Sequence, residues 1–336
     1  MKIRVIGAGV AGMTCAHEFA RAGAEVELVE RAAEPGRGCS FFAGGMIAPW
    51  CEAESAEPLV VDWGREALDY WTKAVPVAER RGSLVVAPPR DRPDLVRFSR
   101  RTSQFDTIDA TRLAELEPDL AGRFDMALYF AQEAHLDPRR AIAALAERLA
   151  QFPNVSLRFN TEAQNATDPV DWTIDCRGFA ASDLFNDLRG VKGEMLVLST
   201  RDIALSRPVR FVHPRQPLYI VPRGDGRFMV GATMIENEER SRLTVRSVLE
   251  LLSAAYALHP AFGEAEIVET GSDVRPAFPD NLPRLRRRGK VLYVNGLYRH
   301  GFLLAPALAR RAVAVVMQDA HFPEVMDADP RERRSA

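Results

Sequence analysis

Three glycines, Gly7, Gly9 and Gly12, stand in G-x-G-x-x-G spacing, and an acid, Glu30, follows roughly 20 residues further on. Gly7 permits a tight turn, Gly9 lets a pyrophosphate come close to the backbone, and Gly12 allows close helix–strand packing. Glu30 can accept hydrogen bonds from a ribose hydroxyl, and an acid there repels a 2′-phosphate, which argues against NADP. These residues point to a bound adenine dinucleotide. Near the other end, "LYRHGFLLAPALARR" (297–311) sets Arg299, His300 and Gly301 directly ahead of an apolar run. A cationic and a titratable side chain at such a turn raise the question of whether something negative lies opposite.

The elements that must position these residues are legible around them. "KIRVIGAG" reads as a strand, the apolar positions Ala11, Cys15, Phe19 and Ala22 as a helix closed by Gly23, and "EVELVE" as a second strand. The helix amino terminus then presents the amides of Val10 and Ala11 to phosphate. Helical patterns follow at 59–80, 91–103, 110–117 and 136–151, with strands near 126–131 and 155–159. Strand patterning dominates 191–234, a helix is expected at 243–259, and "KVLYVNG" leads into a helix at 301–318. "RGDG" (223–226) reads as a hairpin turn and "PRLRRRG" (283–289) as a solvated one.

Strand–helix units at both ends with an antiparallel run between predict an α/β fold (α+β overall). Its Rossmann-like dinucleotide domain (1–75, 133–190 and 265–325) interleaves with a mostly antiparallel-sheet substrate domain (76–132 and 191–264). Residues 326–336 are expected to form a frayed tail. The net charge of −2 over 336 residues gives no footprint for nucleic acid or an anionic membrane. Four scattered cysteines suggest buried thiols in a reducing compartment and no metal site. A strand at the start and no ~18-residue uncharged apolar run lead to the expectation of a cytoplasmic protein.

"GRGCSFFAGGMIAPWCE" (36–52) follows the Glu30 strand and combines small residues with aromatics. Here the chain resembles the FAD-dependent D-amino-acid oxidase superfamily, and within it the glycine oxidases of thiamine biosynthesis. The resemblance recurs in "EAHLDPRRAIAALAERLA", "DWTIDCRGFAAS", "VKGEMLVL", "LYIVPRGDGRFMVGATM", "GSDVRPAFPDNLP" and "VNGLYRHGFLLAPA", in family order. It implies a D-amino-acid-oxidase-like fold and non-covalent FAD, since no cysteine matches the covalent position of sarcosine oxidases. It places Cys39, Ser40, Ala43, Gly44, Gly45 and Met46 against the flavin. Arg31, Cys176, Gly178, Arg275, His300 and the backbone of Gly301, Phe302 and Leu303 join Gly7–Gly12 and Glu30 in the cofactor set. Met46, Ile47, Ala48, Trp50 and Cys51 would line the substrate wall. Pro217 stands where some glycine oxidases carry a histidine.

The chemistry the resemblance implies asks little of the protein: hold a carboxylate, orient a Cα–H bond and exclude water. Arg275, in "DVRPA", occupies the carboxylate-binding position, where a guanidinium gives two parallel hydrogen bonds. Tyr219 occupies the second carboxylate contact and Arg299 a position near the cavity; no side-chain base is demanded. The expected activity is oxidative deamination of glycine, sarcosine or a small D-amino acid with molecular oxygen, giving an imine and hydrogen peroxide, the imine being usable for thiazole formation. Alternatives are a same-fold dehydrogenase passing electrons to a quinone or carrier, and a non-catalytic flavoprotein subunit. The family admits homo-oligomers, and no interface is legible.

Overall fold

A computed structural model describes residues 1–212 and 218–327, so Pro217 and residues 328–336 of the expected tail lie outside the described residues. The chain divides into two compact units. Unit 1 comprises 1–41, 139–191 and 274–336; unit 2 comprises 42–138 and 192–273. Segments 42–75, 133–138 and 265–273, assigned to the dinucleotide domain from sequence, thus group with unit 2. The interleaved α/β architecture is as expected.

Unit 1 is built on a six-stranded sheet whose central strand is β1 (Lys2–Ile6). On one side β1 pairs in parallel with β2 (Glu25–Val29), which pairs with Val155–Arg158. On the other it pairs with Trp172–Asp175, then Val291–Asn295. Arg284–Arg288 closes that edge antiparallel to Val291–Asn295, so the basic run read as a solvated turn is a strand. Helix α1 (Val10–Arg21) buries nearly its whole length, including Met13, Cys15, Ala16 and Phe19. It lies along the carboxy-terminal helix Gly301–Gln318, close enough that a Cβ on Gly301 would sit 3.2 Å from the Val10 side chain. That last helix has the length and mean hydropathy (1.3) of a membrane span, but 61% of the stretch is buried inside the structure. Its apolar residues fill a core instead.

Unit 2 carries a mostly antiparallel sheet in which Leu218–Gly224 and Arg227–Gly231 form a hairpin. The turn itself is Asp225-Gly226, both with positive φ (51° and 70°), as a twisted two-residue hairpin requires. One sheet face holds a core of Leu84, Leu196, Phe211 and Ile220, covered by helix Val245–Leu258 through Leu251, Ala254, Ala255 and Leu258. That spacing is the buried stripe of an amphipathic helix, and Thr244 caps it by accepting the Ser247 N–H (3.2 Å). The helix expected at 59–80 ends earlier, Pro58–Asp69 passing into a single wide turn, Tyr70–Ala74. A two-stranded ladder joins Met46–Ile47 to Ala134–His135.

Candidate active site

In unit 1 the G-x-G-x-x-G turn is as tight as its spacing predicts. The Gly7 N–H donates to Val29 O (2.9 Å) and the Cys176 N–H to Ile6 O (2.8 Å), which fixes the turn between two strand ends. A Cβ on Gly12 would lie 1.7 Å from Gly7 O, and one on Gly7 (φ +96°) would lie 2.8 Å from Cys176 O. Neither neighbour can yield, because both are backbone. A Cβ on Gly9 would meet only the Ser40 hydroxyl, at 3.3 Å, so the turn is open on the side where a phosphate must approach.

The α1 amino terminus completes that cradle. Met13 N–H to Gly9 O (2.9 Å) is the first bond of the helical ladder, so the amides of Ala11 and Gly12 precede it. The Val10 N–H donates to Ser40 Oγ (3.0 Å), which gives Ser40 a role in shaping the turn. Glu30 sits at the end of β2 with its carboxylate accepting the Ala8 N–H (2.7 Å) and the Ala32 N–H (2.8 Å). Its position is thereby fixed, and a carboxylate has lone pairs left for a ribose. Cys39 is half-buried and Arg31 exposed, whereas Cys15 and Cys176 are buried. A hydrogen bond with Cys15, reinforced by burial, pushes the Cys176 thiol well above the ordinary range. These are packing thiols, not nucleophiles.

A second helix amino terminus meets the first. In Gly301–Gln318 the Leu304 N–H to His300 O bond (2.8 Å) begins the ladder, so the amides of Gly301, Phe302 and Leu303 precede it. Gly301 abuts Val10, and the two positive dipole ends sum in one place. An anion there is stabilised by both.

Arg275 reaches the same corner of unit 1. Its neighbour Pro276 accepts, through its carbonyl, the Tyr298 N–H (2.9 Å), with Tyr298 at φ 48°. Asn295 Nδ2 donates to Gly178 O (2.9 Å), so the ends of three strands and the Leu297–His300 turn are tied together. Arg299 and His300 bond to each other, Arg299 Nε donating to His300 Nε2 (3.2 Å). A guanidinium has no acceptor. His300, 5% exposed, therefore accepts through Nε2 in this contact.

The remaining predicted residues belong to unit 2, so the 36–52 segment is divided between units after Phe41. There the Tyr219 ring lies on a shelf of two glycines. A Cβ on Gly44 would come within 2.6 Å of Tyr219 Cε2, and one on Gly231, directly across the strand pair, within 3.3 Å. Met195, Val197 and Met229 form the apolar floor with Phe42 beside them. Ala48, Trp50 and Cys51 are buried, Ala48 preceding and the other two within a short helix, Pro49–Glu52. Cys51 has no exposed surface: it faces inward, its N–H donating to Glu133 Oε1 (2.8 Å).

Two features of unit 2 escaped the sequence reading. Arg223, which the sequence places in a turn, lies in the strand Leu218–Gly224 where the hairpin register shifts. It donates to Leu136 O (3.0 Å), Ala43 O (3.1 Å) and Gly44 O (2.9 Å). Its spacing from Tyr219 does not signal this, because the hairpin register shifts at Arg223. Glu133 is wholly buried, hydrogen-bonded by Ser83 and the Cys51 amide, with the Glu52–Arg210 ion pair nearby. Burial raises its pKa to about 7, against the opposing pull of its hydrogen bonds and of Arg210.

The family model for DAO, the FAD-dependent oxidoreductases, matches residues 2–315. A Rhizobium etli protein with the provisional name thiamine biosynthesis oxidoreductase ThiO is 55% identical over 325 residues, 96% of this chain and 99% of its own. The glycine oxidase of Pseudomonas aeruginosa is 28% identical over 92% of this chain and 93% of its own. The solved glycine oxidase of Bacillus cereus superposes with a TM-score of 0.81, covering 95% of this chain and 96% of that one at 21% identity, a likeness of fold. The cradle described above fits a flavin dinucleotide: room is left where a phosphate must approach and nowhere else around the three glycines. With a family match spanning nearly the whole length, this chain belongs to the DAO family of FAD-dependent oxidoreductases.

Proposed function

We propose that the chain oxidises glycine or another small amine, such as sarcosine or a small D-amino acid, with oxygen as acceptor. The products are an imine and hydrogen peroxide, and the imine either hydrolyses to the 2-oxo acid and ammonia or is consumed in thiazole formation for thiamine. FAD, when bound, supplies the hydride acceptor. The protein's part is to hold and orient. Arg275 takes the substrate carboxylate in a two-pronged grip, Tyr219 donates a phenol hydrogen bond to it, and Arg299, bonded to His300, adds positive charge. The amides of Ala11, Gly12, Gly301, Phe302 and Leu303 hold negative charge on the cofactor.

The observation that carries this reading is the corner of unit 1 where the Arg275 strand end is bonded to the Arg299 turn, beside two helix amino termini. The names of the Rhizobium and Pseudomonas relatives support the substrate class. The test is anaerobic mixing of the purified holoprotein with glycine, sarcosine, D-alanine, D-proline and L-amino acids, following the visible flavin band. Bleaching by glycine or sarcosine, then one peroxide per turnover in air, is expected. No bleaching by any of them removes the reading; bleaching with rapid dye reduction and little peroxide turns it into a dehydrogenase.

A further inference from the structure

Arg223 stands four residues after Tyr219 on the strand Leu218–Gly224, where the hairpin register shifts, and both side chains meet the loop at Gly44. Its side chain is 10% exposed, and its guanidinium reaches three backbone carbonyls. Two of them, Ala43 and Gly44, belong to the peptides leading into and out of the glycine on which the Tyr219 ring rests. The third, Leu136, belongs to the strand segment that pairs with this loop, since the Leu136 N–H donates to Gly45 O (2.9 Å). Gly45, at φ +71°, brings its Cα so close to Leu136 O that a Cβ would lie 2.1 Å away. The Asp137 carboxylate lies 3.9 Å from Arg223 Nε and balances its charge.

We propose that Arg223 is a positioning residue for Tyr219, acting through the Gly44 peptide. The chain of contacts is short: guanidinium to Gly44 carbonyl, Gly44 backbone to phenol ring. Without the clamp, the carbonyls of Ala43 and Gly44 are no longer tied to that of Leu136, and the ring loses the surface that sets its height above the sheet. A lysine cannot replace the fork, because a single ammonium does not reach three carbonyls fanned around a planar group. The proposal rests on the reading that the Tyr219 hydroxyl contacts substrate.

The test is a double-mutant cycle on FAD-loaded protein, R223K against Y219F, with kcat and KM measured separately for the best small amine. Each single change is expected to lower kcat/KM by up to about tenfold, the worth of one net hydrogen bond. The double variant should fall no further than the worse single one. Additive losses would overturn the proposal, as would R223K with a lowered thermal midpoint but the kinetics of the parent. If Y219F itself has parental kinetics, the substrate role of Tyr219 fails, and the clamp's route fails with it; this outcome is told apart by which single variant is silent. Should R223K not fold, G44A displaces the same ring directly, its Cβ lying 2.6 Å from Tyr219 Cε2, and must show the same non-additivity with Y219F.

Discussion

Glu133→Gln should stabilise the protein at alkaline pH and leave it unchanged in acid. Glu133 has no exposed surface, and burial raises its pKa from 4.5 to about 7. The neutral form is therefore favoured in the fold. Its contribution is fully present below the unfolded pKa of 4.5 and is lost as pH rises through about 7. At 1.36 kcal/mol for each unit, this difference amounts to about 3 kcal/mol withdrawn from the native state by pH 8. Glutamine mimics the neutral acid and keeps the geometry. Its oxygen accepts the Cys51 N–H as Glu133 Oε1 does, and its amide donates to Ser83 Oγ.

The assay is thermal unfolding of FAD-loaded parent and E133Q at pH 5 and pH 8. At pH 5, half a unit above 4.5, the two should lie within about 1 kcal/mol of each other. At pH 8 the variant should melt several degrees higher, since for a chain of 336 residues 1 kcal/mol moves the midpoint by about 1–2 °C. A constant gap between the two proteins across this range would refute the buried neutral acid. Loss of stability in E133Q at both pH values would mean that the Glu52–Arg210 pair needs a charged partner beside it.

Three more outcomes are expected. Gly12→Ala places a methyl 1.7 Å from Gly7 O, and the purified protein should lack FAD or fail to accumulate; a fully loaded yellow G12A would sink the tight-turn account. Arg275→Lys should weaken amino-acid binding by roughly 2–5 kcal/mol as the two-pronged grip is lost, with the flavin-to-protein ratio unchanged. Parental steady-state kinetics in that variant would take Arg275 out of the site. Acid precipitation should leave a colourless pellet and a yellow supernatant, because FAD is expected to be non-covalent; a yellow pellet contradicts it.

What was legible in the sequence was local. The strand, the glycine turn, α1 and Glu30 lie within the first 30 residues, and their spacing reports directly on backbone geometry. The helix Gly301–Gln318 was legible for the same reason. The boundary near residue 41 was not, because it depends on Met46–Ile47 pairing with Ala134–His135, a partnership between distant segments that no single-sequence pattern marks. The surroundings of Cys51 were not legible for a related reason. Its neighbours Glu133 and Ser83 come from other elements, and a small, moderately polar side chain looks the same facing a wall or a core.

The arginines show the same limit more sharply. Only four of the 44 basic residues are lysine, which by composition alone reads as a habit of the source. The structure separates at least two uses that lysine serves poorly. Arg284–Arg288 is the edge strand of its sheet, where exposed backbone groups invite pairing with another chain and charged side chains discourage it. There Arg286 grips Asp187 with two nitrogens while lying 4.4 Å from the Phe278 ring centroid, and Arg287 pairs with Asp319 (2.8 Å) and covers Trp172. Arg207, 11% exposed, instead satisfies Glu117 and the carbonyls of Arg81 and Leu116 inside unit 2. Arg223 does the same for the loop under Tyr219. In the first use the planar group stacks and pairs in partial solvent; in the second it replaces a missing strand by filling carbonyls. One letter covers both, and the partners that distinguish them lie up to 180 residues away. Spacing therefore located the cofactor turn, whereas the arginines that fill distant carbonyls, Arg223 beneath the Tyr219 loop among them, emerge only when the chain is folded.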